Sequence, residues 1–217
     1  MAAQLSFDLP IRAARGREDF LVAPCNVDAV EWIDRWPDWP THALAIHGPR
    51  ASGKSHLAHV WRARSGAGHL KSSQVDRDKL PSGLGVGLVV ECEGGSIDEV
   101  GLLHLYNAIA QAGGSLLLTG NEAPARWPVS LPDLRSRLRA TTSVGIGQPD
   151  DELLAAVLSK LFRDRQLTVQ PEVISFMISR LERSLDAVRR SVAELDAYAL
   201  EKGRPITVRL AAELLNR

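Results

Sequence analysis

Residues Gly48-Pro49-Arg50-Ala51-Ser52-Gly53-Lys54-Ser55 carry the G-x-x-x-x-G-K-[ST] spacing of a phosphate-binding loop. Glycines let such a loop turn its backbone N–H groups inward around phosphate oxygens, where a side chain would collide. The start of a following helix adds partial positive charge. In this setting Lys54 reaches the β- and γ-phosphates and Ser55 holds Mg²⁺. The motif requires a strand before it and a helix after it. Ala43-Leu44-Ala45-Ile46-His47 is a short apolar run, and residues 54–64 can continue as a helix.

A phosphate loop that hydrolyses its nucleotide needs a carboxylate to support the metal and a group to activate water. The apolar run Leu88-Val89-Val90 ends in Glu91-Cys92-Glu93. Glu91 is placed for Mg²⁺ support. Cys92 follows it and is a poor base. Glu93 is expected on the other side of the strand, because side chains alternate. The plainer reading of both acids is a solvated strand end. A third run, Ser115 to Thr119, leads into Gly120-Asn121. Ligands of parallel sheets gather at the carboxyl ends of strands, so Asn121 can sense a γ-phosphate or its attacking water; an ordinary asparagine turn is the alternative. Arg135, Arg137 and Arg139 alternate in Leu131-Pro132-Asp133-Leu134-Arg135-Ser136-Arg137-Leu138-Arg139, either as a solvated basic face or as a source of a guanidinium for a neighbouring subunit's nucleotide. His56 and His59 lack further donors at metal spacing.

These groups must be positioned by strands and helices in alternation. Strands are expected at 43–47, 86–90, 115–119 and, more weakly, 143–146. Helices are expected at 28–36, 54–64 and 98–112, the last with Val100, Leu103, Asn107 and Ala110 on its apolar stripe. Trp32 and Trp36, four apart, read as core packing. Residues 66–85 read as a short, polar, glycine-marked connector. After Gln148-Pro149 the pattern becomes helical, at 151–165, 171–181 and 185–200, and Thr207 can cap a last helix. The expected class is therefore α/β, a parallel-sheet nucleotide domain followed by a small all-helical lid. The boundaries are an extended arm at 1–19, the α/β domain at 20–147 and the lid at 148–217.

The chain has 217 residues, of which 45% are hydrophobic, enough for a core. Lys+Arg and Asp+Glu both number 26, so no global charge grips nucleic acid. Two cysteines, Cys25 and Cys92, form no disulfide framework. The sequence lacks a membrane-length apolar run and a signal peptide, so the expected location is the cytoplasm.

In this order the pieces resemble the replication-initiator branch of the AAA+ P-loop ATPases, and within it the small DnaA-related regulators. The resemblance is carried by the phosphate loop, by Leu105-Tyr106-Asn107, by Leu117 to Pro124, and above all by Leu-Pro-Asp-Leu-x-Ser-Arg-Leu at 131–138. It covers essentially the whole chain. It implies that Phe20, Leu21 and Val22 pack around adenine, with Ala23 where the family usually has glycine, and that His56 completes the nucleotide-binding set. It implies that Arg137 is an arginine finger acting in trans on ATP bound to DnaA. Gln4-Leu5-Ser6-Phe7-Asp8-Leu9 is similar to peptides that dock on the sliding clamp, the β subunit of DNA polymerase III, with Gln4, Leu5, Phe7 and Leu9 as contacts.

The function implied is negative regulation of chromosomal replication initiation. An ADP- or ATP-bound protein with Mg²⁺ and weak or no ATPase of its own would dock on the DNA-loaded clamp and stimulate hydrolysis of DnaA-bound ATP. DNA would be met only through the clamp. Nucleotide state and homo-oligomerisation are left open. The residues after the lid leave no room for a helix-turn-helix domain, so origin binding is not expected. The lid position where the family often carries a sensing arginine falls on Asp186, with Arg189 or Arg190 a turn further on. Competing readings are an active ATPase such as a helicase loader, a small-molecule phosphotransferase, and a DNA-binding replication adaptor.

Overall fold

The computed structural model describes residues 21–78, 85–93 and 97–215. Two compact units divide them, one ending at Gly147 and the other beginning at Gln148.

The first unit is built on a five-stranded sheet. Its strands are β1 (Ala43–His47), β2 (Gly68–Lys71), β3 (Gly87–Cys92), β4 (Ser115–Gly120) and β5 (Thr142–Gly145). They lie in the order β2-β3-β4-β1-β5, and every pairing is parallel. β1 lies between β4 and β5, with Leu44 opposite both Leu117 and Thr142. Parallel strands need crossovers, and helices α1 (Val27–Asp34), α2 (Lys54–Ser65), α3 (Glu99–Gln111) and α4 (Pro132–Ala140) supply cover on both faces. Strand parity divides the core. Leu44, Ile46, Val89 and Leu117 pack with Ile33, Leu57 and Trp61 of α1 and α2. Ala43, Ala45, Val90 and Leu118 pack with Leu102, Leu105, Leu134 and Leu138 of α3 and α4.

The sheet contains a strand that the sequence reading takes as connector. β2 reads Gly-His-Leu-Lys, too short and too polar to signal a strand, and it survives because it is an edge paired on one side to β3. The stripe of α3 also differs from expectation. Gly101, Leu102, Leu105, Tyr106 and Ile109 face inward, whereas Val100 is 40% exposed. Both sets have helical spacing, and the buried face is the one that carries Leu102, Leu105, Tyr106 and Ile109. Trp32 and Trp36 pack against the α1–α2 face as expected. Trp61 at its centre stacks on Trp39 at 5.4 Å and meets Trp36 edge-on at 6.1 Å.

The second unit is the helical segment, α5 (Asp151–Asp164), α6 (Pro171–Ile178), α7 (Leu185–Lys202) and α8 (Val208–Leu215). Leu154, Leu158, Phe162, Met177, Val188, Leu195 and Leu210 form its core. Its starts are capped locally. Asp150 accepts from Leu153 N at 2.8 Å, Ser184 from Ala187 N at 3.1 Å, and Thr207 from Leu210 N at 3.3 Å. Gly203, at φ 58°, ends α7 in the left-handed conformation that glycine tolerates. Among the described residues no helix is long and apolar enough to cross a membrane.

Candidate functional site

The loop Gly48–Ser55 joins the carboxyl end of β1 to α2, the position its spacing predicts. Strand hydrogen bonding runs into it, with Gly48 N donating to Gly120 O at 3.2 Å and Ile146 N donating to His47 O at 2.7 Å. Two of its positions demand glycine. A Cβ on Gly48 would collide with the carbonyl oxygen of Ile146, and Gly53 sits at φ 104°.

Lys54 is buried to 1% side-chain exposure. Its ammonium donates to Gly48 O at 2.9 Å and Pro49 O at 2.7 Å, and it pairs with Glu93 Oε1 at 3.0 Å. Glu93 thus lies on the loop side of the strand end, not away from it. β3 ends at Cys92, and the chain bends at Glu93, so strand alternation does not set its direction. Glu91 turns to β2 instead, with its Oε2 3.4 Å from His69 Nε2. Cys92, between them, is directed to the α3–α4 core. Burial, then the neighbouring Glu91 charge, push its thiol pKa up to about 12.

Two buried hydroxyls at this end of the sheet lack a hydrogen-bond partner among the described residues, Ser52 Oγ in the loop and Thr119 Oγ1 on β4. Buried polar atoms are normally satisfied, so an orphan donor beside a buried ammonium fits an anion cradle. His47 closes β1 beside the loop, and its pKa is lowered by burial first, then by Arg126 and Lys54. Ser55 and Asn121 are exposed, and Arg50 is exposed at the loop's outer edge. Among the described residues no three His, Cys, Asp or Glu side chains gather as a metal site.

The segment before α1 is fastened to the sheet. Asn26 is buried, accepts from Ala23 N at 2.9 Å and donates to Leu21 O at 3.0 Å, while Gly147 N donates to Cys25 O at 2.8 Å. Leu21 and Val22 are therefore held in place, and Ala23, at 3% exposure, is part of the packing. Asn26 fastens this segment through both ends of its side-chain amide. Phe20, together with Gln4, Leu5, Phe7 and Leu9, lies outside the described residues.

The arginine run forms α4. Leu134 and Leu138 anchor it, at 0% and 2% exposure. The loop before it is clamped from both sides. Glu99 accepts from Ser130 N and Leu131 N at 2.6–3.0 Å, and these bonds hold its carboxyl below the usual range. Arg135 donates to Val129 O at 2.6 and 3.0 Å. At the far end Thr141 donates to Arg137 O at 3.0 Å and meets Tyr106 Oη at 3.3 Å. Arg137 itself is exposed, and its side chain makes no hydrogen bond or ion pair among the described residues. The three arginines that alternate in sequence are thus unequal; Arg135 braces the fold and Arg137 is presented outward. In the helical unit, Asp186 lies 3.9 Å from Arg189 on the same helix, both exposed.

Residues 150–215 match the family model described as Hda, lid domain. An uncharacterized protein of Haemophilus influenzae is 29% identical over 119 residues, 54% of this chain and 52% of the relative. The chromosomal replication initiator protein DnaA of Cutibacterium acnes is 26% identical over 112 residues, 52% of this chain and 22% of that protein. The matched stretches thus span about half of the first relative and under a quarter of the second. Domain III of the Thermotoga maritima initiator DnaA has the same fold, at a TM-score of 0.76 and 18% identity over 91% of this chain and 93% of that one. AMPPCP-bound DnaA from Aquifex aeolicus aligns at a TM-score of 0.66 and 16% identity, over 84% and 65% of the two chains. Residues 150–215 thus match the lid of one DnaA-related family, and the chain has the fold of DnaA domain III.

Proposed function

We propose that this protein binds an adenine nucleotide in the Gly48–Ser55 loop and acts on DnaA as a regulator of replication initiation. The buried Lys54, the unpartnered Ser52 hydroxyl and the backbone at Gly53 receive the phosphates, and Leu21 and Val22 lie along the base. Ser55 and Glu91 hold the accompanying Mg²⁺, which neutralises phosphate charge when bound; Glu91 leaves His69 to do so. Among the solved neighbours, the Aquifex DnaA was captured with AMPPCP, which supports a nucleotide in this fold.

The observation that carries the regulatory reading is the contrast within α4. A guanidinium with no side-chain hydrogen bond or ion pair among the described residues stands on a helix fixed by Leu134, Leu138 and two clamped ends. Such a group is suited to reach a phosphate held by another subunit, where an arginine finger contributes ~10³–10⁵ in rate. The protein's own site is poorly equipped for turnover, because the position after Glu91 is a thiol that stays protonated. Arg137 therefore supplies charge stabilisation to ATP bound by DnaA, and the nucleotide held here keeps the α/β unit in shape. The arm from Gln4 to Leu9 docks on the sliding clamp, which raises the local concentration of both partners.

A reconstituted assay tests this reading. Hydrolysis of ATP on DnaA is followed with and without DNA-loaded clamp and this protein. Stimulation that needs all components, with slow turnover by the isolated chain, is expected. Fast turnover by the isolated chain and no effect on DnaA would refute it. Changing Gln4 and Leu5 to Ala should abolish clamp binding; an unaltered clamp affinity removes the arm from the mechanism.

A further inference from the structure

We infer that Glu93 is a resident anion on the phosphate lysine and makes this loop discriminate against the more highly charged nucleoside triphosphate. The inference rests on the nucleotide-binding reading above and adds to it a residue that sets nucleotide preference.

Lys54 has three N–H donors, and all three are engaged, by Gly48 O, Pro49 O and Glu93. The two carbonyls are dipoles; Glu93 brings the one formal charge within 4.0 Å of the ammonium among the described residues. A buried ammonium without a counter-anion is costly, and Glu93 supplies that anion. An incoming phosphate must take at least one of the three donors. The carbonyls are fixed in the loop backbone and carry no formal charge. Glu93 can leave, because its side chain is 29% exposed, against 1% for Lys54, and it regains water as it goes. Nucleotide binding is therefore an exchange of anions on Lys54.

The exchange also sets a preference. Glu93 follows directly on Cys92, the last residue of β3, so its backbone stays at the strand end after the carboxylate lets go. A displaced carboxylate that cannot travel far repels whatever anion replaces it. A triphosphate brings roughly one more negative charge than a diphosphate. It meets more repulsion and depends more on Lys54 for its terminal phosphate. Glu93 thus weakens both nucleotides and weakens the triphosphate more. Glu91 does not share this role, since it faces His69 on the neighbouring strand.

The test is equilibrium titration of the full chain with ADP and with ATP, in the wild type, Glu93→Gln and Glu93→Ala. Both variants should tighten ATP by about tenfold and ADP by only about threefold, so the preference for diphosphate narrows. Unchanged or weaker ATP binding in both variants would overturn the inference, as would a gain for ADP equal to that for ATP. Lys54→Ala separates this from the underlying reading. If the wild type binds nucleotide and Lys54→Ala does not, the loop is the site whatever Glu93 does. If neither the wild type nor the Glu93 variants bind, the nucleotide reading fails and this inference falls with it.

Discussion

Lys54 and Arg137 stand in the same α/β unit and are treated in opposite ways. Lys54 is buried and every donor on its ammonium is used, by two carbonyls and a carboxylate. Arg137 is exposed on a helix anchored by Leu134 and Leu138, and its side chain makes no bond among the described residues. A cation that the fold neutralises serves the chain's own pocket. A cation that the fold supports but leaves unpaired is available to another molecule. The cost of exposing an arginine is small, because water solvates it, so its presentation need not be offset elsewhere.

Arg137→Ala should break this comparison most sharply. Stimulation of ATP hydrolysis on DnaA is expected to fall by ~10³ or to background, while the melting temperature and nucleotide affinity stay unchanged. A stimulation rate equal to wild type would show that the free guanidinium serves nothing. Lys54→Ala comes next. Loss of a charge-assisted phosphate contact should weaken nucleotide binding by ~30–100-fold, measured by equilibrium titration, and a small change would place the phosphates elsewhere. Arg135→Ala is the structural counterpart. It leaves Val129 O and Ser130 O without their donor and should lower stability by about 1–2 kcal/mol in denaturant unfolding. If Arg135→Ala instead removed stimulation at full stability, the division of labour between the two arginines would be wrong.

That division was not legible in the sequence. Arg135, Arg137 and Arg139 alternate, and alternation alone cannot say which is braced, because the answer depends on Val129 and Ser130 in the loop before the helix. The phosphate loop was legible because its glycines and Lys54 are fixed by local chemistry and flanked by an apolar run. The doubly covered sheet was legible for the same reason, since strands buried on both faces are continuous apolar runs. β2 was not, because an edge of four residues with only Leu70 apolar has no such signature. Glu93 was not, because it lies in a bend past the end of β3 and its partner Lys54 belongs to another element.

The smallest effect lies beneath Arg137. His42, preceding β1, packs edge-on to Tyr106 at 4.5 Å, and its buried Nε2 has no hydrogen-bond partner among the described residues. Its pKa is lowered from 6.5, mainly by burial and to a lesser degree by the Arg137 charge, against an opposing backbone hydrogen bond with Tyr106. A histidine whose folded pKa is depressed binds fewer protons folded than unfolded as pH falls below 6.5. Stability is therefore full above that pH and is lost as pH falls towards the depressed value. Melting temperatures should decline as pH falls below 6.5, and His42→Gln should flatten the decline without removing it, because His47 is shifted in the same direction. Arg137→Ala should flatten it slightly as well, since the nearby positive charge is one of the reasons His42 resists protonation. A pH profile that His42→Gln flattens but Arg137→Ala leaves unaltered would mean that the guanidinium is uncoupled from the histidine near it.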